Sequence, residues 1–408
     1  MTEDVKRIIE EALSSAMPGT AVREALSKIC FGSGRLLIVA CGKAAWEMGH
    51  AAAEALGDRY DRGIIITKYN HSKGAVRRFE ICEAGHPVPD QKSYESTRKA
   101  LELVNGLSPE DSVLFLLSGG GSALFEKPLV SEEEMEDITR QLLACGAEIT
   151  EINTLRKRLS AVKGGKFALA CAPAHVYTVV LSDIIGDPLD MIASGPAYPD
   201  SSTAEEAVKI AERYQLKLSE EAWGLLQKET PKELSNVTTY VTGSVKQLCA
   251  SAEKTAEKLG YRPVFLTASL SCEAREAGAF LSAIARDHQD TKESLAYILG
   301  GETVVHLTGK GKGGRNQEIA LSAAEGIRGC KNTCIFSLGS DGTDGPTDAA
   351  GGWVDENTAE VLSSKGVDIG KVLAENDAYH ALSACDGLIM TGPTGTNVND
   401  LTVLLIRR

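Results

Sequence analysis

Apolar positions along the chain follow two periods. Val5, Ile8, Ile9, Ala12, Leu13, Ala16 and Met17 recur at three- and four-residue spacing, which predicts an amphipathic helix. Thr2 is placed to cap it, Glu3 and Asp4 suit its first turn, and Pro18-Gly19 is expected to end it. A short apolar run at 36–40 predicts a buried strand, with a helix from about 43 to 56. Further strands are expected at 63–67, 79–83, 112–117 and 175–181, with helical patterns at 91–104 and 131–145. Strands alternating with helices predict βαβ units and a mostly parallel sheet.

The stretch 202–232 is helical and polar, and a second alternation is expected beyond it. Strands are predicted at 237–242, 263–267, 333–338 and 398–406, and helices at 244–259, 274–286 and 316–325. Residues 297–299 and 303–307 flank Gly300-Gly301, which predicts a hairpin. The fold class expected is α/β with two α/β domains. The N-terminal domain, 1–232, is Rossmann-like, and the C-terminal one, 233–408, is smaller with a mixed sheet.

Composition narrows the function classes. The chain has 408 residues, 43% hydrophobic and 24% charged, and a formal charge of −13. Such an acidic surface disfavours nucleic acid and anionic membranes as partners. No apolar run is long enough for a membrane span, and the charged start does not read as a secretory signal. The ten cysteines are scattered, without a CxxC pair, and read as reduced thiols. A cytoplasmic location is the expectation.

Candidate chemistry lies in the turns after strands, because ligands in open α/β sheets sit outside the carboxyl ends of strands. The first turn, Cys41-Gly42-Lys43, puts Lys43 where a helix begins, a position that suits an anion. The second is LSGGGSAL, Leu117 to Leu124, directly after an apolar strand. Gly119, Gly120 and Gly121 let backbone N–H groups approach a ligand, and Ser118 and Ser122 add hydroxyls, so a phosphate or carboxylate cradle is expected. In INTLRKRLSAVKGGK, Ile152 to Lys166, helical spacing puts Arg156, Ser160 and Lys163 on one face. Asn153 and Arg156 join the candidate substrate or phosphate ligands. In LSDIIGDPLDMIASGP, Leu181 to Pro196, Asp183 ends a strand and is the candidate general base, whereas Asp187 before Pro188 reads as a turn residue.

In the second half, HLTGKGKGGRNQE, His306 to Glu318, matches G-x-G-x-x-G at Gly309, Gly311 and Gly314. Lys310, Lys312 and Arg315 make the loop basic, which suits several phosphates better than a dinucleotide. Gly311, Gly313, Gly314 and Asn316 are its candidate phosphate ligands. SLGSDGTDGPTDAAGG, Ser337 to Gly352, brings Asp341, Asp344 and Asp348 close together; Asp341 and Asp344 are the candidate Mg2+ ligands. No Walker A sequence occurs. Two anion cradles with basic side chains and strand-end aspartates point to phosphoryl transfer, which needs positioning and charge neutralisation above all. Lys43 and Arg315 are the neutralising cations expected, one from each domain.

With EAGHPVPD, Glu83 to Asp90, and TGPTGTNVNDL, Thr391 to Leu401, these stretches closely resemble the class II glycerate kinases, which carry a C-terminal MOFRL domain. The likeness runs from Leu36 to Leu405. It implies ATP-dependent phosphorylation of D-glycerate, usually at the 2-hydroxyl, with Mg2+ or another divalent cation. It also implies two α/β domains around a cleft, with a MOFRL region at about 295–402. Family sites carry a Lys at the position of Lys43 and an Arg at that of Arg315. Cys272 departs from the family pattern, where Gly is expected, and puts the geometry of that turn in question. The partners implied are D-glycerate and ATP; a homodimer is left open.

The rival enzyme reading is a nicotinamide-dependent hydroxypyruvate reductase. It requires an acidic residue about 20 positions after the glycines to hold a ribose. Asp341 stands 27 positions after Gly314, a poor fit. A module that binds anions without turnover is the non-enzyme alternative.

Overall fold

The computed structural model describes residues 2–182 and 189–408. The chain forms two compact units. One comprises residues 21–182 and 189–242; the other comprises residues 2–20 and 243–408.

The first unit is built on β1 (Leu36–Cys41), β2 (Arg62–Lys68), β3 (Phe79–Ala84), β4 (Ser112–Leu117), β5 (His175–Leu181) and β6 (Val237–Thr242). Their order is β3-β2-β1-β4-β5-β6, with every pair parallel. This is the strand order of the Rossmann fold, which reverses between β1 and β4. Every residue of β1 and β4 is buried, as expected where helices cover both faces of a parallel sheet. The helix Gln91–Leu103 starts in a capping box of Asp90 and Ser93, and Ser131 caps Glu132–Ala144. Phe115, Phe125 and Phe167 pack as a triad, with ring centroids 4.7 to 5.6 Å apart.

The second unit contains β7 (Arg262–Leu270), β8 (Leu295–Gly301), β9 (Thr333–Gly339), β10 (Gly351–Asp355), β11 (Leu388–Ile389) and β12 (Asp400–Ile406). Their order is β11-β10-β9-β12-β8-β7, and only β7 and β8 run parallel. Antiparallel pairing sets Asp400, at the start of β12, between Gly301 and Gly339 at the ends of β8 and β9. That end of the inner strands carries the second unit's candidate residues.

Four expectations need correction. The strand at 237–242 does not open the second domain; as β6 it pairs with β5 and closes the first sheet. The boundary between 232 and 233 therefore moves to the end of β6. The first helix, Glu3–Ser15, belongs to the second unit, where Ser251 donates to the Glu11 carbonyl (3.1 Å) and Tyr261 to Asp4 (2.7 Å). Thr2 caps this helix, but Pro18 opens a further one, Pro18–Leu26, at the position where a missing N–H costs nothing. The hairpin around Gly300-Gly301 is absent: β8 pairs with β7 and β12, and Val304 makes only a bridge to Glu273. Cys272 lies outside the left-handed region, so that turn does not require Gly. Among the described residues no helix is long and apolar enough to cross a membrane.

Phe167→Ala removes the ring that touches both other members of the triad. The first unit should lose about 3–5 kcal/mol of stability. Urea unfolding followed by circular dichroism measures this, and a loss below about 1 kcal/mol would contradict the packing described.

Candidate functional site

At the point where the strand order reverses, the loops after β1 and β4 are laced together by backbone. The Lys43 N–H donates to the Gly119 carbonyl at 2.8 Å, and the Ala44 N–H donates to Ser118 Oγ at 3.1 Å. Gly42 sits at φ +122°, where a Cβ would stand 2.2 Å from Ser118 Oγ. Only glycine permits this approach. Gly120 is also left-handed, at φ +86°, and caps the short turn Gly121–Leu124.

The Lys43 side chain is exposed and makes no ion pair among the described residues. The helix that follows begins at Ala45, so Lys43 lies in the turn before it. A Cβ on Gly120 would touch Lys43 Cγ at 3.1 Å and His86 Nε2 at 3.1 Å, so the two side chains flank this glycine. His71 Nδ1 lies 3.3 Å from the Lys43 carbonyl. Burial lowers the His86 pKa, and the neighbouring charges of Lys43, Lys68 and His71 lower it further. The result is an electropositive rim around a glycine loop. Sequence reasoning named Lys43 and missed Lys68, His71 and His86; His86 was visible within EAGHPVPD.

The remaining loop candidates divide. Ser118 is buried and ties the two loops together, so its hydroxyl serves the framework instead of a ligand. Gly121 packs against Ala193, where a Cβ would come within 2.7 Å. Ser122 Oγ is half-buried and lies 3.4 Å from Ser194 Oγ. Ser194 donates to Asn153 Oδ1 at 2.9 Å. Ala193 and Ser194 both adopt positive φ, +52° and +60°, a strained conformation for residues with a Cβ. Arg156 Nη2 donates to the Ser122 carbonyl at 3.2 Å, and Lys163 Nζ to the same carbonyl at 2.8 Å.

The helical-face argument for the basic segment fails, because the helix Ile149–Leu159 ends before Ser160 and Lys163. Arg156 and Lys163 nevertheless converge on Glu126, at 3.5 and 3.4 Å. Lys163 and Glu126 are fully buried. Burial pulls the Lys163 pKa down to about 8, against the opposing pull of Glu126. Lys157 pairs with Asp190 and Asp200, and Lys166 donates to the carbonyls of Lys157, Arg158 and Ser160. These cations therefore act mainly inside the unit. Asp183, the candidate base, and Asp187 lie outside the described residues.

In the second unit Arg315 opens the helix Arg315–Ala324. Its Nε and Nη2 reach Asp400 at 2.6 and 3.0 Å, and its Nη1 reaches Glu302 at 2.9 Å. Burial opposes the Arg315 charge, and the Asp400 contact more than restores it, so its pKa is raised. Three of its five N–H donors are thus engaged, and two remain for a ligand.

The phosphate cradle expected at Gly311, Gly313, Gly314 and Asn316 is partly taken by the chain itself. Asp344 occupies that helix N-terminus: its Oδ1 accepts from the Asn316 N–H (3.1 Å) and its Oδ2 from the Gln317 N–H (2.9 Å). The chain supplies its own anion to the free amides. Asn316 is buried, bonding Asp344 and Ser337. Cβ atoms at Gly309, Gly311 and Gly314 would strike Glu375, Asp377 and Asp344, so these glycines allow close packing against acidic segments. The dinucleotide fingerprint therefore fails too, and it lies outside the Rossmann-type unit.

The expected Mg2+ pair does not fit. Both Asp344 oxygens hold amides, and Asp341 Oδ1 accepts from the Thr343 N–H and hydroxyl at 3.0 and 3.2 Å. Among the described residues no group of three His, Cys, Asp or Glu side chains is arranged to hold a metal.

These features define a class: an α/β protein with a Rossmann-type unit that presents a lysine beside a glycine loop, joined to a mixed-sheet unit with a carboxylate-clasped arginine. Residues 4–227 match the family described as a domain of unknown function (DUF4147), and residues 295–400 match the MOFRL family. A protein named D-glycerate 2-kinase from Thermotoga maritima is 51% identical over 98% of this chain and 97% of its own. One named glycerate 2-kinase from Pyrococcus horikoshii is 39% identical, over 98% and 96%. The crystal structure of the Thermotoga maritima glycerate kinase superposes with a TM-score of 0.94 at 50% identity, covering 99% of both chains. The chain belongs to the glycerate kinase family with a C-terminal MOFRL domain.

Lys163→Met leaves Glu126 as a buried charge beside only Arg156 and should cost about 3–5 kcal/mol. Adding Glu126→Gln should recover a large part of that loss. Urea unfolding of the single and double variants measures the pair, and equal stability of Lys163→Met and the parent would contradict this account.

Proposed function

We propose that this protein transfers the terminal phosphoryl group of ATP to the 2-hydroxyl of D-glycerate, giving 2-phosphoglycerate and ADP. The observation that carries the reading is Lys43: an exposed ammonium without an ion pair among the described residues, fixed beside a glycine loop at the Rossmann switch point. Family membership supplies the substrate class. A phosphoryl group in transfer spreads charge over its oxygens, and positioned cations stabilise that charge. Lys43 provides one such cation. Arg315 provides another, oriented by Asp400 with two donors to spare. Asp183 is the proposed acceptor of the hydroxyl proton. Mg2+ enters with the nucleotide, because this ion keeps much of its water and binds largely through substrate phosphates. The chain's own carboxylates carry no step through it.

Purified protein with D-glycerate, ATP and Mg2+ should release ADP, and NMR of the product should place the phosphate at C2. No phosphoglycerate, or NADH oxidation with hydroxypyruvate in place of ADP release, would overturn the reading. Lys43→Ala and Arg315→Ala should each lower kcat by about 100-fold or more with the fold retained. Undiminished turnover in either variant removes that residue from the mechanism.

A further inference from the structure

Ser122, Ser194 and Asn153 form a hydrogen-bonded chain whose direction can be read from its end. The Asn153 amide nitrogen faces Met191 Sδ at 4.0 Å, which leaves Oδ1 toward Ser194. Ser194 donates its single hydroxyl proton to that Oδ1 at 2.9 Å. A serine hydroxyl has one proton, so Ser194 Oγ meets Ser122 Oγ, 3.4 Å away, only as an acceptor. Between these two hydroxyls Ser122 is then the donor, and with its proton turned inward its lone pairs are left to accept. Ser194 and Asn153 are buried, whereas Ser122 is half-buried and has no other hydroxyl partner among the described residues.

An oxygen whose proton is turned inward meets a ligand as an acceptor. It favours a hydroxyl over a phosphate or carboxylate oxygen. We propose that Ser194 is a positioning residue that turns Ser122 into an acceptor for a hydroxyl of the acceptor substrate, so that this end of the glycine loop reads the hydroxy acid and not the nucleotide phosphates. This rests on the glycerate kinase reading above. The backbone agrees: Ser194 is held at φ +60° although it carries a side chain, and strain of this kind concentrates at working sites. It is held by the Gly164 N–H, which donates to the Ser194 carbonyl at 3.0 Å, and by Ala193 against Gly121.

Steady-state kinetics of the full chain with D-glycerate and ATP test this. Ser122→Ala and Ser194→Ala should each raise KM for D-glycerate about tenfold and leave KM for ATP unchanged. The double variant should match either single one, because both break the same chain. Ser194→Gly removes the hydroxyl and relieves the positive φ, so it should raise Tm while showing the same KM shift. A merely structural role predicts no such split, and this variant also stands in if Ser194→Ala fails to fold. Unchanged KM for D-glycerate, multiplicative effects in the double variant, or a rise in KM for ATP instead would each overturn the proposal. A parent protein that does not phosphorylate D-glycerate would refute the broader reading and this inference with it. Normal parent turnover with silent variants refutes this inference alone.

Discussion

The site of the first unit depends on how closely two backbones approach. The loops after β1 and β4 meet because residue 42 has no Cβ and Ser118 is small enough to lie beneath it. Lys43 is held at both of its backbone groups. Its N–H is held by Gly119, and its carbonyl lies 3.4 Å from Thr67 Oγ1 and 3.3 Å from His71. A lysine side chain has considerable rotamer freedom, so an anchored backbone is what makes its ammonium useful at one place. Any side chain at 42 would separate the loops and release that anchor. Gly42 therefore fixes the placement of Lys43, the cation proposed to meet the phosphoryl group.

The same loop is braced from behind. Of three successive left-handed residues, Ala193, Ser194 and Gly195, the first presses on Gly121, and two of the three carry a Cβ. Such residues cost about 1–3 kcal/mol each. The donors that hold them are Gly164 and Gly165, themselves left-handed, directly after Lys163. Lys163 in turn donates to the carbonyls of Ser122 and Phe125. One short basic segment thus anchors the strained turn and the glycine loop together. This explains why a chain with net charge −13 buries cations at Lys157, Arg158 and Lys163, where they hold carbonyls and carboxylates of the framework.

Much of this was legible in the chain, and the limits are physical. The strands of the parallel sheet could be read because both faces are covered, which makes each an unbroken apolar run. Membership could not: the pattern at 237–242 marks a strand, but whether it pairs with β5 depends on a contact with residues some 60 positions earlier. Gly300-Gly301 has the composition of a hairpin turn, yet β8 finds partners in β7 and β12, and tertiary pairing overrides the local signal. Lys43 and Ser122 were singled out from loop chemistry, and Asn153 with the basic segment Ile152 to Lys166. Ser194 was not, because a strained φ leaves no mark in composition. Charge runs misled in one respect: Arg156 and Lys163 meet at Glu126 through the fold, not through a common helical face.

The two glycine-rich stretches show why such a loop before a helix is an ambiguous sign. Free amides at a helix start attract an anion, and the sequence does not say whose. In the second unit the chain answers for itself. Asp344 places both oxygens on the amides of Asn316 and Gln317, and burial raises its pKa to about 6 while those amides pull it back. A ligand phosphate would have to displace a carboxylate already matched to the site. In the first unit the described residues bring no carboxylate to Lys43. An unmatched cation in an otherwise acidic chain is the better guide to an external anion, because the fold has spent other carboxylates on cations it keeps inside. On that criterion Arg315 is intermediate. Asp400 and Glu302 hold it, but they use only three of its donors, so it can orient a second anion without losing the first.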